Sequence, residues 1–294
     1  LLLQEKQGTP LIYSFISTNK INTLDNSRKN ITLTHNDEIL WFKNQRNFSN
    51  NPMQKWVAFQ SERWVKKFLQ EKQDQINLAH ICQADFDGYR AVAPKHRGII
   101  VPAGVDLLEL LPTSAFTGKV KLIFIGSLSV KMNHDALTFF SQHFWPVLKK
   151  SFGEKVAFQI AGSNPTDAIY KLAQENQWQV SANLDDDEIH KIYQCSSFSV
   201  LAFPYTTGAK LKLLNSLAAG VPVLGTINML SSPEQNFQPN CYSDSPEEWV
   251  KHLSKYMDRG ISEQDRQACQ EYARQFSWQR IVKEFEKTLA DLGF

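Results

Sequence analysis

The sequence predicts an α/β protein whose parallel sheets are covered by helices on both faces. Short apolar, β-branched runs alternate with helical patterns along most of the chain. Glycine-containing turns follow several of these runs, and 294 residues are enough for two domains of ordinary size. Strands that alternate with helices in this way form parallel sheets, because each connection crosses back over one face of the sheet.

The composition excludes several broad classes of protein. Hydrophobic residues make up 42% and charged residues 21%, which is typical of a globular rather than a disordered chain. The net charge of +2 argues against a dedicated nucleic-acid binder. No apolar run approaches the ~20 residues that a membrane span needs. Four scattered cysteines without C-x-x-C spacing predict unpaired thiols and a reducing, cytoplasmic setting.

The first part of the chain predicts four strands and two helices. Strands are expected at 11–16, 31–34, 76–80 and 98–101, a long helix within 50–75, a short helix from Asp85, and a linker at 108–118. The long helix mixes aromatic side chains, including Trp56, with lysine and arginine. This mixture fits an interfacial membrane helix or a helix whose aromatics pack on the first sheet, and the second interpretation is favoured.

The second part alternates more regularly. Strands are expected at 120–125, 156–161, 179–180, 199–203 and 221–224, and helices at 135–150, 166–176, 187–195, after Lys210, from Pro246 and at 277–292. Ser245 is the expected N-cap of the helix that begins at Pro246. The acidic run 185–188 precedes a helix, so capping is favoured over a D-x-D metal site.

The most informative segment is 203–223. It combines a loop, a helix start with two lysines, small residues and a glycine turn into a buried strand. Unpaired N–H groups and the positive dipole end of a helix attract phosphate, and Gly208 allows a ligand to approach the backbone. Lys210 and Lys212 point about 200° apart on a regular helix, so both face one phosphate only if the first precedes it. Lys212 is the favoured phosphate contact.

Four segments in the expected order carry a family resemblance. They are VPAGVD at 101–106, FIGSL at 124–128, FQIAGSNP at 158–165 and the segment 203–223. Over roughly residues 75–290, the chain resembles GT-B glycosyltransferases, particularly family 4 and its relatives. The resemblance implies two Rossmann-like domains whose parallel sheets face a cleft, with a C-terminal helix that crosses back to the first domain.

The resemblance also implies domain boundaries. An N-terminal acceptor domain is expected at 1–118, a nucleotide-sugar donor domain at 119–276 and the crossover helix at 277–294. The chain begins without methionine. In the resembled family, further strands and a glycine-rich loop would precede this point, and we expect them to be missing.

Ligands of open α/β sheets bind beyond the carboxyl ends of the strands. We therefore expect donor-binding residues at Gly126, Ser127, Gly162, Asn164, Thr206, Thr207, Gly208 and Lys210. The resemblance adds Asn215, at the position that contacts the donor ribose in the family. By resemblance, the catalytic candidates are His35, which ends a predicted strand near the transferred sugar, and Lys212. Asp37 and Glu38 are candidate acceptor-side acids, although helix capping is favoured for both.

Two departures from the family pattern bear on activity. Thr207 and Asn215 occupy the positions of two glutamates, and neither supplies a negative charge. Ser127 and Met132 replace an Arg and Lys pair that often neutralises the diphosphate, with Lys131 one place away.

The resemblance implies a hexosyltransferase-type enzyme of cell-surface polysaccharide synthesis. It would move a sugar from a nucleotide-diphosphate sugar to a glycan or lipid-linked acceptor, with retention and without metal or cofactor. The expected location is cytoplasmic, with a peripheral contact at the inner membrane face and no nucleic-acid partner. The alternatives are a catalytically impaired relative that binds nucleotide sugar or a partner glycosyltransferase, and a sugar-nucleotide epimerase of the same architecture.

Overall fold

The computed structural model describes residues 11–14, 30–34, 37–49, 51–110, 118–206, 210–230 and 235–291. These residues form two compact units. The first unit contains the described residues up to Gly104 together with 278–291, and the second contains those from Val105 to Ser277. Each unit has its own parallel sheet, which confirms the predicted α/β class.

The first unit has a four-stranded sheet with three helices following its strands. The strands are β1 (Leu11–Ser14), β2 (Asn30–Thr34), β3 (Asn77–His80) and β4 (Arg97–Ile100). They lie in the order β1-β2-β3-β4, and all of them pair in parallel. The helices are α1 (Glu38–Phe48), α2 (Pro52–Lys72) and α3 (Gln83–Val92).

Helix α2 provides much of the first unit's core. Asn51 caps its N-terminus by accepting hydrogen bonds from the next backbone N–H groups, and proline occupies its first position. Val65 and Leu69 lie one helical turn apart and pack with Leu78 of β3 and Tyr89 of α3. This apolar burial stabilises the helix on the sheet, because isolated helices gain little from propensity alone.

The second unit has a six-stranded parallel sheet. Its strands are β5 (Val120–Ile125), β6 (Val156–Gly162), β7 (Gln179–Ala182), β8 (Phe198–Leu201), β9 (Val223–Gly225) and β10 (Cys241–Tyr242). The order β10-β9-β8-β5-β6-β7 reverses direction between β5 and β8. Ligands of doubly wound sheets bind at such a switch point, beyond the carboxyl ends of the strands.

Helices cover this sheet. They are α4 (Lys131–Phe139), a π-helical turn (Phe140–Phe144), α5 (Trp145–Phe152), α6 (Asp167–Asn176), α7 (Asp186–Gln194), α8 (Leu211–Ala218), α9 (Pro246–Ser254) and α10 (Glu263–Arg274). Helix α11 (Trp278–Asp291) belongs to the first unit. An aromatic cluster fills part of the second core: Phe140, Phe144, Trp145, Phe158, Trp178 and Trp249.

The structure corrects several predicted elements. The single helix at 135–150 is wrong, because the helix begins at Lys131 and a π-helical turn divides it. The strand at 199–203 ends at Leu201, since the backbone of Phe203 bonds to side chains beyond the sheet. Helix α10 and strand β10 were not predicted, and of α1 only the start was predicted, through the expected cap at Asp37 and Glu38.

The predicted caps are confirmed. Asp185 and Glu188 form a reciprocal capping box at α7, and Ser245 accepts a hydrogen bond from the N–H of Glu248 at α9. Asp37 caps α1 through the N–H of Leu40. Throughout the described part of the chain, no helix combines the length and apolar character needed to cross a bilayer.

Candidate functional site

Two glycine turns meet at the carboxyl ends of β5 and β6. A Cβ atom added to Gly162 would lie 1.7 Å from the carbonyl oxygen of Gly126, so only glycine allows this approach. The N–H of Gly126 also donates to the carbonyl of Ala161 at 3.1 Å. The turns at Gly126 and Gly162, which follow β5 and β6, are therefore in direct backbone contact.

The loop after β7 contacts the second of these turns. The N–H of Asn183 donates to the carbonyl of Gly162, and the side-chain oxygen of Asn183 accepts from the N–H of Asn164 at 2.9 Å. Asn164 and Asn183 have φ values of 52° and 54°, a region that asparagine tolerates better than most residues. These bonds fix the backbone of the loops that follow β6 and β7.

Lys212 lies over the first glycine turn. It belongs to the first turn of α8, and a Cβ added to Gly126 would meet its Cε at 2.7 Å and its Nζ at 3.5 Å. The same Nζ lies 5.8 Å from the centroid of the Phe203 ring, a cation–π distance. The missing side chain at Gly126 thus gives the amine room to rest against the turn.

The charge of Lys212 has no counter-charge within the described part of the chain. The side chain is half-buried, and burial lowers the pKa of its amine from the usual value. Among the residues that the structure describes, no carboxylate pairs with Nζ and no acceptor hydrogen-bonds to it. A partly desolvated cation of this kind favours an anionic ligand, as does the neighbouring N-terminus of α8.

Two buried polar atoms beside these turns also lack partners within the described chain. Asn133 donates through Nδ2 to the carbonyl of Ser127 at 2.6 Å, whereas its Oδ1 is buried without a hydrogen bond. The hydroxyl of Thr206 is buried and unbonded as well. Buried polar atoms are nearly always hydrogen-bonded, so a ligand with both donors and acceptors fits this surface.

A tyrosine–aspartate bond ties the loop after β8 to α4. The hydroxyl of Tyr205 donates to the carboxylate of Asp135, which also pairs with Lys131 at 2.7 Å. Burial raises the pKa of the Asp135 carboxyl, but the bonds from Lys131 and Tyr205 outweigh it and hold the pKa below its usual value. Burial, assisted by this carboxylate, raises the pKa of Tyr205 to about 12. Lys131 is therefore engaged by Asp135.

The start of α8 decides whether Lys210 and Lys212 must point to opposite faces of the helix. Lys210 is the N-cap of α8 and precedes its first regular turn, so the opposite-face constraint of a helix does not apply to it. Asn215 lies three residues after Lys212 and is exposed. The structure brings together Gly126, Ser127, Gly162, Asn164 and Lys212, with Thr206 on the adjoining loop.

Three predicted site residues, His35, Thr207 and Gly208, lie outside the described residues. Sequence reasoning did not include Asn133, Asn183 or the Tyr205–Asp135 pair in the site. The pair is separated by 70 positions, and no local pattern indicates it. Within the described ranges, no three His, Cys, Asp or Glu side chains form a group that fits a metal ion.

Comparisons with known proteins bear first on the second unit. The family model for glycosyl transferases group 1 matches residues 119–259, which include all the described site residues. This part of the chain is therefore similar to the group 1 glycosyltransferases. No curated protein sequence matches the chain.

Solved structures extend the likeness to both units of the chain. TarM superposes with a TM-score of 0.66 at 14% identity, covering 95% of this chain and 54% of TarM. The pneumococcal O-GlcNAc transferase GtfA, crystallised with UDP and GlcNAc, gives 0.60 at 14% identity over 90% of this chain and 53% of GtfA. WaaG, a glycosyltransferase of lipopolysaccharide biosynthesis, gives 0.58 at 14% identity over 89% and 75%.

These likenesses confirm the predicted GT-B fold with two Rossmann-like domains. The chain spans about half the length of TarM and of GtfA.

Proposed function

We propose that the protein transfers a hexose-type sugar from a nucleotide-diphosphate sugar to a glycan or lipid-linked acceptor in cell-surface polysaccharide synthesis. One observation carries the proposal: the half-buried amine of Lys212 lies over Gly126 without any described counter-charge. GtfA, which shares the fold, was crystallised with UDP and GlcNAc, and WaaG acts in lipopolysaccharide biosynthesis. GtfA supports a nucleotide-sugar donor, and WaaG supports a surface-glycan product.

In this proposal, the site stabilises the departing diphosphate. Negative charge grows on the phosphate oxygens as the bond to the sugar breaks. Lys212 and the first N–H groups of α8 are already oriented toward such a charge, so little reorganisation is needed during the reaction. We propose transfer without a metal ion, because these elements supply positive charge themselves. We also propose retention of the anomeric configuration, which the family resemblance implies.

The rim of the site then positions the rest of the donor. The unbonded Oδ1 of Asn133 accepts a hydrogen bond from the ligand, and the hydroxyl of Thr206 donates one. The rigid loops at Gly162 and Asn164 limit how the diphosphate approaches. Four free cysteines support a cytoplasmic location for this chemistry.

A second candidate is a relative that binds the donor without turnover. Asn215 occupies a position where the resembled family carries a glutamate, and its amide forms hydrogen bonds but supplies no charge. In this case the electropositive turn still binds the diphosphate, because Lys212 is unaffected by the change. The two candidates therefore predict the same binding and different turnover.

Calorimetry on the full chain tests the binding step. UDP, GDP and ADP are titrated into the unmodified protein and into Lys212→Met, which keeps the aliphatic stem over Gly126. We expect one nucleotide to bind and Lys212→Met to weaken it about 10- to 100-fold, the range of a lost charge-assisted bond. Lys210→Met and the exposed, remote Lys251→Met are the matched controls and should change affinity less.

The proposal fails if none of the three nucleotides binds, or if all three lysine variants change affinity equally. Nucleotide release from a panel of UDP-, GDP- and ADP-sugars then separates enzyme from binding protein. Release with EDTA present supports the metal-free reaction, and NMR of the first product distinguishes retention from inversion. Binding without release over long incubations favours the second candidate.

A further inference from the structure

Helix α2 carries an exposed apolar and basic face that the proposed function does not use. Met53 is 74% exposed and Trp56 is 62% exposed, whereas Ala58, Val65 and Leu69 are buried on the opposite side. The favoured sequence interpretation, in which the aromatics pack on the first sheet, is therefore wrong for Trp56. Large apolar side chains left in water on one helix face indicate an interaction surface.

Helical geometry groups the exposed side chains. At 100° per residue, Met53, Trp56, Phe59, Arg63 and Lys67 lie within about 60° of one direction. Lys55 and Val57, both exposed, flank this strip on its two sides. We call these seven residues the α2 outer face. It extends about 21 Å along the helix, from the apolar N-terminal half to the basic C-terminal half.

Basic residues outnumber acidic ones around this face. Between residues 39 and 72, where α2 ends, the chain has seven basic residues and two acidic ones, Glu62 and Glu71. Glu71 is exposed and pairs with Lys67 at 3.7 Å. Glu62 is buried and pairs with Arg46 at 2.9 Å and with Lys66 at 2.6 Å. Because the whole chain has a net charge of +2, this span carries +5 and the remainder carries −3. The positive charge is thus concentrated around the α2 outer face.

Arginine side chains hold the aromatic part of the face in place. The guanidinium carbons of Arg46 and Arg63 lie 5.7 and 5.6 Å from the centroid of the Phe59 ring. Both arginines thereby cover the ring while Trp56 and Met53 stay open to solvent. This arrangement offers apolar side chains for insertion beside cations that remain at the surface.

We propose that the α2 outer face docks on the surface of a bilayer that contains anionic phospholipids. Tryptophan, phenylalanine and methionine side chains enter the boundary between headgroups and acyl chains, where aromatic rings are favoured. Lys55 and Arg63, which have no acidic partner among the described residues, contact the phosphates of the headgroups, and Lys67 adds charge next to its partner Glu71. A protein partner without negative charge would provide no complementary group for these cations.

Vesicle flotation of the full chain tests this proposal without any nucleotide, so it is independent of the proposed function. We compare vesicles of phosphatidylcholine alone with vesicles containing about 30% phosphatidylglycerol. We expect about tenfold stronger binding to the anionic vesicles, weakening at about 0.5 M salt because screening shortens the electrostatic range. Binding should also shift the tryptophan emission to shorter wavelength.

A matched pair of double variants locates the contact. Lys55→Gln/Trp56→Gln removes one exposed base and one exposed aromatic from α2, and Tyr170→Gln/Lys171→Gln removes the same types from α6. We expect the α2 variant to lose about fivefold or more in vesicle affinity and the α6 variant to lose less than about twofold. Circular dichroism confirms that both variants fold.

Three results would overturn the proposal. They are equal binding to neutral and anionic vesicles, an equal loss in the two double variants, and vesicle-free self-association that Lys55→Gln/Trp56→Gln abolishes. The last result would assign the surface to a second copy of the chain.

Discussion

The second unit contains a buried arginine, Arg266, and a half-buried lysine, Lys212, whose charged groups have different surroundings. Arg266 of α10 is 8% exposed and donates to the backbone carbonyls of Ser196, Gln194 and Gly220, the first at 2.7 Å. Lys212 of α8 meets a glycine turn and an aromatic ring, with no described acceptor on its amine. Burial lowers the pKa of both side chains. They differ because backbone carbonyls accept hydrogen bonds from Arg266, whereas no described group accepts one from Lys212.

This difference separates a structural charge from a functional one. Arg266 joins the chain after α7 to the turn after α8, and its charge is satisfied within the fold. Glu62 of the first unit follows the same pattern, since it pairs with both Arg46 and Lys66. A partly buried charge without a partner costs stability, and under the proposed function a ligand phosphate would compensate the charge of Lys212.

The largest expected effect comes from exchanging each cation for methionine. Arg266→Met leaves buried carbonyls unpaired and should lower the free energy of unfolding by about 3–5 kcal/mol. Lys212→Met removes an uncompensated charge and should leave the free energy of unfolding unchanged or slightly higher. Urea unfolding of both variants measures the contrast. Equal destabilisation by the two changes would contradict the distinction between them.

The glycine contact beneath Lys212 gives the next effect. Gly162→Ala forces a methyl group against the carbonyl oxygen of Gly126, a backbone atom that has no alternative rotamer. We expect a loss of about 3 kcal/mol in the free energy of unfolding, at the upper end of ordinary overpacking. Thermal unfolding provides the measurement, with Ala161→Gly in the same strand as a control for backbone entropy. A fully stable Gly162→Ala variant would show that the two turns do not touch.

The first unit contains a buried ionisable side chain, His80, whose surroundings favour the neutral form. The Nδ1 of His80 contacts the Thr34 hydroxyl at 3.0 Å, and its Nε2 lies 3.2 Å from Nε2 of His96. Burial, followed by the neighbouring His96, lowers the pKa of His80 to about 3. The unfolded chain, with a histidine pKa near 6.5, therefore binds more protons between these values.

Because of this difference in proton binding, the contribution of His80 to the free energy of unfolding is fully present above pH 6.5 and is lost as the pH falls toward 3. The loss should reach roughly 2 kcal/mol at pH 5, because each pKa unit corresponds to about 1.4 kcal/mol. Hydrogen exchange of the β3 amides at pH 7.5 and pH 5 measures it after correction for the intrinsic exchange rate. His80→Asn should flatten the dependence, and an unchanged slope in that variant would assign the effect to other groups.

The sequence predicted the groups whose signal is local. Lys212 was selected because a glycine, two lysines and a run of small residues lie within 13 positions, from Gly208 to Gly220, after a predicted strand. The glycine turns were identified because parallel strands place their carboxyl ends at one edge. The contact between Gly126 and Gly162 and the bond between Tyr205 and Asp135 depend on tertiary packing, which spacing along the chain does not encode.

The orientation of α2 shows the same limit. Periodicity predicted a helix, but aromatic residues occur on two of its faces. Trp64 and Phe68 pack at the edge of the core, whereas Trp56 faces solvent. Helix α1 was predicted only at its start, because its span is rich in asparagine, glutamine and basic residues and lacks a clear apolar period. Which aromatic face is buried depends on the volume available beside the sheet, and the sequence pattern does not specify it.

The smallest expected effect on stability belongs to Gly126→Ala, which tests the Lys212 amine most directly because it moves the amine without removing it. In Gly126→Ala the new methyl group would lie 2.7 Å from Cε of Lys212, the flexible end of a side chain, which can shift at little cost to stability. We expect unchanged unfolding and about tenfold weaker binding of the nucleotide that the unmodified chain prefers, since the amine no longer rests on the turn.

A double-mutant cycle with Lys212→Met decides whether this loss runs through the amine. If it does, adding Gly126→Ala to Lys212→Met weakens nucleotide binding little further, because the displaced charge is already absent. Fully additive losses would instead mean that the methyl group obstructs the ligand directly. In that case Gly126 acts as a close-approach position in its own right, and the unsatisfied cation is only one of two independent contributions to the site.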